Sequence, residues 1–274
     1  MPELPEVEVL RRDLEPEVVG THIANVRVTR ARSVRRYGDP DDFTTPLRGR
    51  EIVAVERRGK YLVFRLEDGH ALVVHLGMSG QLLRARTARE PVTAHTHVVV
   101  TLRGAGEVRF VDPRTFGEMF VSANGLSELA HLGVDPLVDA LSPVRLAELV
   151  AHRRARIKPL LLDQRFIAGL GNIYTDEVLH RAGLRWDRGA DSLTPDEVAG
   201  LHHEMLATLH EAIADRGSSL ADAQYVDLYG HPGRYQHRHL VYAREGSPCP
   251  RCQQPITRTR VAGRSHFSCE VCQR

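Results

Sequence analysis

The second residue of the chain is proline, and Glu3 and Glu6 follow it closely. A small second residue permits removal of the initiator methionine, which leaves Pro2 as a free secondary amine. An α-amino group has a reference pKa of roughly 7.7–8.0, far below the ~10.4 of lysine, and the positive end of a helix lowers it further. Such an amine is a nucleophile at neutral pH. Its attack on a sugar C1′ gives an iminium that stays cationic at any pH and acidifies the neighbouring C2′ proton, so that a phosphate can be eliminated. Glu3 is placed to carry protons for the sugar and the leaving base, and Glu6 to hold the first helical turn electrostatically. Taken by themselves, the three are more simply read as residues that start a helix.

The four cysteines lie in the last 26 residues as Cys249-Pro-Arg-Cys252 and, sixteen residues later, Cys269-Glu-Val-Cys272. Thiolates two residues apart in a tight turn grip one tetrahedral ion, and two such turns on a hairpin supply all four ligands. A tail this short and polar hardly buries a core without the ion. The spacing predicts one structural zinc and no catalytic metal. Two disulfides are the alternative, disfavoured in a cytosolic chain.

The 274 residues, 42% hydrophobic and 26% charged, suffice for two domains with buried cores and exclude an intrinsically disordered or collagen-like chain. No run approaches the roughly 18 apolar residues of a membrane span. The first twenty residues carry six acids and two arginines, unlike a secretory leader, so a cytoplasmic, nucleoid-associated protein is expected. Residues 229–274 hold eight arginines against two glutamates, and such a basic end suits a polyanion. Only two of the 37 basic residues are lysines, Lys60 and Lys158, a hint of sites that need a compact ammonium.

The elements that must position these groups are of two kinds. Val7, Leu10, Leu14 and Val18 step by three and four and predict an opening helix. After Gly20 the period changes to two or to short apolar runs, predicting strands over 25–30, 51–55, 61–66, 71–76, 97–102 and 107–111. From about residue 127 the pattern turns helical: Ser142-Pro143 opens one helix, and Thr194-Pro195 opens a long one with Leu201, Met205, Leu209 and Ile213 as its buried stripe. Between them, Gly169 and Gly171 flank Leu170 where two short helices would meet in a tight turn. The fold class is α+β: an N-terminal β-sandwich with its opening helix over 1–126, a linker over 127–143, a helical domain over 144–240 that ends in a Gly-, Tyr- and Pro-rich loop at 217–236, and a zinc-finger hairpin over 241–274.

Six strings in register, Met1-Pro-Glu-Leu-Pro-Glu-Val-Glu8, Arg58-Gly-Lys-Tyr61, His75-Leu-Gly-Met-Ser-Gly80, Asp112-Pro-Arg-Thr-Phe-Gly117, Gly169-Leu-Gly-Asn-Ile-Tyr174 and the four-cysteine tail, closely resemble bacterial formamidopyrimidine-DNA glycosylases from end to end. The resemblance implies that Pro2 is a Schiff-base nucleophile and Glu3 a catalytic carboxylate. It implies that Lys60 and His75 contact the phosphate backbone beside the lesion, with Lys158 facing phosphate as well. Asn172 resembles the phosphate ligand of a helix–two-turn–helix motif, and Arg264 the zinc-finger arginine that grips phosphates on either side of a flipped nucleotide. Met78, Arg114 and Phe116 match three side chains inserted into the duplex, where a filler, a hydrogen-bonding guanidinium and a wedge compensate for the extruded base. Read singly, Met78 and Phe116 are better placed in a core, His75 as a satisfied core histidine, and Lys60 on a strand edge.

The implied function is a bifunctional DNA glycosylase and abasic-site lyase that excises oxidised purines, 8-oxoguanine and formamidopyrimidines, and cleaves the strand by β,δ-elimination. It is expected to act as a monomer on double-stranded DNA with oxidised or abasic sites, bound in a basic cleft between two domains. Backbone amides near residues 219–226 are expected to face the damaged base. Two departures are visible: the loop that begins at Gly217-Ser-Ser is slightly longer than the family's usual form, and Thr115 stands where a second arginine is common. The alternatives are an endonuclease VIII-like enzyme for oxidised pyrimidines, and a zinc-dependent DNA-binding protein without catalysis.

Overall fold

The computed structural model describes residues 2–220, 225–261 and 263–274. The chain divides into two compact units, one of Met1–His131 with Asp215–Arg234, the other of Leu132–Ala214 with Tyr235–Arg274. Among the described residues no helix is long and apolar enough to cross a membrane.

In the first unit, α1 (Leu4–Val18) buries Val7, Leu10, Leu14 and Val18 completely, as its spacing requires. A short helix, α2 (Pro40–Thr44), follows β1 (Ile23–Val28), and seven more strands come after it: β2 (Ile52–Arg58), β3 (Tyr61–Leu66), β4 (Ala71–His75), β5 (Gln81–Ala85), β6 (Thr96–Leu102), β7 (Gly106–Val111) and β8 (Glu118–Ser122). They form two antiparallel sheets, ordered β1-β6-β7-β5 and β2-β3-β4-β8. Alternate residues such as Leu62, Phe64, Leu72, Val74, Val98, Val100, Val108 and Phe110 join α1 in one core.

Sequence pattern predicts six of the eight strands and misses β5 and β8. Both lie at the edge of their sheet and have five residues each. Edge strands are short and carry polar residues, so their pairing is set by a distant partner more than by their own periodicity.

The register places the chemistry. Tyr61 pairs with His75, and His75 with Glu118. Gln81 pairs with Val111 in the other sheet. The β2–β3 turn that carries Lys60, the β4–β5 connection with Met78 and the β7–β8 connection with Arg114 and Phe116 therefore leave the sandwich at one end. The last two connections each pass from one sheet to the other.

The second unit holds α3 (Pro143–Val150), α4 (Ile157–Leu162), α5 (Asn172–Ala182), α6 (Pro195–Ala214) and a hairpin of β9 (Thr257–Val261) and β10 (Arg264–Ser268). Ser142 caps α3 by accepting the Arg145 N–H at 3.1 Å. Thr194 and Glu197 cap α6 reciprocally: the Thr194 hydroxyl takes the Glu197 N–H at 3.3 Å, and the Glu197 carboxylate takes the Thr194 N–H at 2.8 Å. Leu201, Met205 and Leu209 are wholly buried and Ile213 nearly so. Glu177 on α5 accepts the N–H groups of Leu240, Val241 and Tyr242 at 2.8, 3.0 and 2.8 Å, which anchors the approach to the hairpin.

Candidate active site and nucleic-acid interface

Pro2, Glu3 and Glu6 are buried at the head of α1, with Glu3 as its N-cap. Glu6 Oε2 accepts the Glu3 N–H at 2.8 Å in a capping box. Its other oxygen accepts the Ser218 N–H at 2.8 Å, so Glu6 holds a second segment as well as the first turn. Gly217 makes that approach possible: its φ is +79°, and a Cβ there would stand 2.8 Å from Glu6 Oε1. Residues 221–224, part of the stretch expected to face the base, lie outside the described residues.

Two residues further along α1, Glu8 accepts from Arg57 Nε at 3.1 Å, and Arg57 Nη1 donates to the Gly59 carbonyl at 3.0 Å. Burial opposes the Glu8 charge, but Arg12, Arg11 and Arg57 together hold its carboxyl below the ordinary range. This chain of bonds sets the turn of Lys60 against the first half of α1.

Lys60 is itself buried, and its charge acts on His75. Burial first, and Lys60 second, push the His75 pKa down to about 4. Gly77 donates its N–H to His75 Nδ1 at 3.3 Å, which leaves the proton on Nε2 of a neutral ring. The imidazole packs on Tyr61 with ring centroids 4.6 Å apart. The structure therefore sets a neutral N–H donor within the field of Lys60.

The same depression carries a stability consequence. His75 and His239, whose pKa burial also pushes down to about 4, stay neutral in the fold while an unfolded histidine titrates near 6.5. Between these values the unfolded chain binds more protons, so stability is complete above pH ~6.5 and falls as pH drops toward 4, by at most roughly 3 kcal/mol for each ring. Urea midpoints at pH 7 and pH 5 should differ accordingly, and His75→Gln should reduce the difference. An unchanged difference would contradict the burial assigned to the ring.

Met78 and Phe116 are 38% and 47% exposed, against the core positions that suit such residues taken singly. Their two connections are cross-braced. The Ser79 hydroxyl donates to Asp112 Oδ1 at 2.5 Å and accepts the Arg114 N–H at 3.1 Å, while Asp112 Oδ2 accepts the Gly117 N–H at 2.8 Å. Gly77 sits so close that a Cβ would lie 2.4 Å from Gly117 N. The Arg114 guanidinium lies 5.3 Å from the Phe116 ring centroid. From outside, Arg35 donates to the Gly117 carbonyl at 2.8 Å and Arg32 to that of Thr115 at 3.2 Å. Thr115, in place of a second arginine, adopts a left-handed φ of 57°. Asp112 and Ser79 are organising residues that sequence reading did not single out, although both stand inside the strings that carry the resemblance.

In the second unit, Asn172 begins α5 and its Nδ2 donates to the Ser265 carbonyl at 2.8 Å, beside Arg264. Arg264 opens β10 after Gly263 and is exposed. The structure thus brings Asn172 and the finger arginine to one place. Lys158, expected at a phosphate, is instead wholly buried: its Nζ lies 2.7 Å from Asp176 Oδ1 and 3.2 Å from His266 Nδ1. Asp176 also stands 2.7 Å from His266 Nδ1 and accepts the Phe267 N–H at 3.0 Å. The ammonium neutralises a carboxylate that holds β10 in register. Because removing one partner strands a buried charge, Lys158→Met should destabilise the protein by about 3–5 kcal/mol, whereas Lys158→Met with Asp176→Asn, which removes the stranded charge and keeps an acceptor for the Phe267 N–H, should recover part of it. Denaturant midpoints measure both, and equal losses in the single and double variants would refute the pairing.

The four cysteines are free, and their Sγ atoms lie within 4.8 Å of one another. Cys249 and Cys272 are 3.8 Å apart, Cys252 and Cys269 3.4 Å. A tetrahedral ion at the ~2.3 Å of a zinc–thiolate bond places its sulfurs about 3.8 Å apart. The donor set fits one structural zinc, and its four protein ligands leave no open position.

A sandwich with its site at one end, a helical unit and a four-cysteine hairpin together form the architecture of helix–two-turn–helix proteins with a zinc-finger tail. Family models match in that order: the formamidopyrimidine-DNA glycosylase N-terminal domain over residues 1–119, its H2TH domain over 132–223, and the zinc finger found in FPG and IleRS over 246–274. The chain belongs to the formamidopyrimidine-DNA glycosylase family. It is 45% identical to the Geobacillus kaustophilus formamidopyrimidine-DNA glycosylase, over 100% of both chains. It is 42% identical to that of Pelotomaculum thermopropionicum, over 100% of this chain and 99% of the other. Among solved structures, the MutM (Fpg) protein of Thermus thermophilus is similar with a TM-score of 0.88 at 41% identity, covering 99% of this chain and 98% of that one. Lactococcus lactis Fpg bound to DNA containing N7-benzyl-Fapy-dG is similar with a TM-score of 0.89 at 34% identity, covering 99% of each chain.

Proposed function

We propose that this chain excises oxidised purines, 8-oxoguanine and formamidopyrimidines, from double-stranded DNA and then cleaves the strand at the abasic site by β- and δ-elimination. The observation that carries the reading is the buried Pro2-Glu3 head of α1, held by Glu6 and linked through Glu8 and Arg57 to the turn of Lys60. The lesion-containing DNA in the Lactococcus lactis complex supports the substrate class.

In the proposed reaction the Pro2 nitrogen bonds to C1′ as the glycosidic bond breaks, and the base departs with a proton passed through Glu3. Ring opening gives the iminium, loss of the C2′ proton expels the 3′ phosphate, and a second elimination expels the 5′ phosphate. Lys60, His75, Asn172 and Arg264 hold the backbone of the flipped nucleotide, while Met78, Arg114 and Phe116 occupy the space it leaves. Glu6 and Lys158 act by positioning other groups. The zinc site folds the hairpin that presents Arg264. The sequence bounds of the functional segments are 1–126, a linker over 127–143, 144–240 and 241–274, but the fold groups Asp215–Arg234 with the first unit and Leu132–Ala214 with the second; the protein works as a monomer in the cytoplasm at the nucleoid.

The test is borohydride trapping and strand cleavage on duplexes with 8-oxoguanine opposite cytosine, or with 5-hydroxyuracil. Covalent trapping and faster cleavage on 8-oxoguanine are expected. Preference for 5-hydroxyuracil would favour an endonuclease VIII-like enzyme, and DNA binding without trapping a non-catalytic protein.

A further inference from the structure

Residues 215–220 and 225–234 form the two legs of an excursion in the first unit. The legs are tied together at their base. Arg234 donates its N–H to the Asp215 carbonyl at 2.8 Å, Gly233 donates to Ser219 Oγ at 2.9 Å, and that hydroxyl donates to the Tyr225 carbonyl at 2.6 Å. Arg216 sits between them with a φ of 61°. A left-handed conformation is unfavourable for a non-glycine residue and persists only where surrounding contacts demand it.

The contacts of this side chain meet that demand. Nη1 and Nη2 donate to the two oxygens of Asp13 on α1 at 3.2 and 2.5 Å, and Nε and Nη2 donate to Asp227 Oδ2 on the returning leg at 3.0 and 2.6 Å. Asp227 is buried, and its other oxygen takes the N–H groups of Tyr229 and His231, each at 2.9 Å. One guanidinium therefore joins α1, the outgoing leg and the returning leg, a geometry that a lysine ammonium does not reproduce. Two residues on, Ser218 is held by Glu6. The outgoing leg is pinned to α1 at Glu6 and Asp13, two helical turns apart.

We propose that Arg216 is a positioning residue for base excision: it fixes the legs 215–220 and 225–234 against α1, so that the helix presenting Pro2 and these legs keep one fixed geometry. The inference rests on the function proposed above. Abasic DNA carries no base for the legs to face, so its cleavage does not require the clamp.

Single-turnover rates of Arg216→Gln on 8-oxoguanine duplex and on preformed abasic duplex test this. The first should fall about a hundredfold, the effect of misplacing a reacting group by about 1 Å, while the second stays near wild type. Arg216→Lys should not restore excision, and Asp13→Asn, which keeps one carboxylate partner, should give a smaller loss with the same selectivity. Equal losses on the two substrates would show a merely structural role and overturn the proposal, as would undiminished excision. Wild-type protein inactive on both duplexes would instead overturn the function on which the proposal rests.

Discussion

An acetyl group or a single residue left in front of Pro2 abolishes covalent trapping on damaged DNA, while zinc content and duplex affinity remain. Either change turns the imino nitrogen into an amide, whose lone pair is delocalised and does not attack carbon. Loss of a nucleophile removes the covalent pathway altogether, so a fall on the order of a thousandfold or more in strand cleavage is expected. The fold tolerates the change, because α1 is capped by Glu3 and Glu6 and not by the terminal amine. Mass spectrometry of the borohydride-treated complex gives the answer. A blocked protein that still nicks 8-oxoguanine duplex at the wild-type rate would exclude Pro2 as the nucleophile.

Glu3→Gln lowers base excision by about 10²–10⁴, the range expected when a proton carrier is lost. The amide keeps the shape and burial of Glu3 but neither gives nor takes the proton that the leaving base requires. Cleavage of preformed abasic sites falls less, because no base departs there. Rates on the two substrates, with fluorescence anisotropy to show retained binding, separate this from a general collapse of the site. An excision rate equal to wild type would show that the proton travels through another group.

Much of this was legible in residue types and spacing, and the failures have physical causes. The α1 stripe and the α6 caps are local, periodic signals, and the structure reproduces them. Cysteine spacing predicts the metal because two short turns of thiolates have few other uses. The edge strands β5 and β8 carry no such signal, because their pairing belongs to partners remote in the chain. Asp112 and Ser79 were hidden for a related reason: their bonds run across 33 positions and brace two connections that sequence shows only as separate strings. Lys158 shows the opposite error. A scarce lysine ahead of the Gly-flanked turn suggests a phosphate contact, yet its partner Asp176 lies eighteen positions away on α5, a pairing no periodicity displays.

The two connections that carry Met78 and Phe116 each bridge one sheet to the other, and Asp112 bolts them together. Each spans the thickness of the sandwich, about 10 Å in a stacked pair of sheets, and the two pack against each other where Gly77 meets Gly117. Under the function proposed above, a tip braced in this way would leave the bending and unstacking to the nucleic acid. Base steps already softened by damage yield at lower cost than intact ones, so in the proposed reaction a braced tip would favour damaged sites before any atom of the lesion is read.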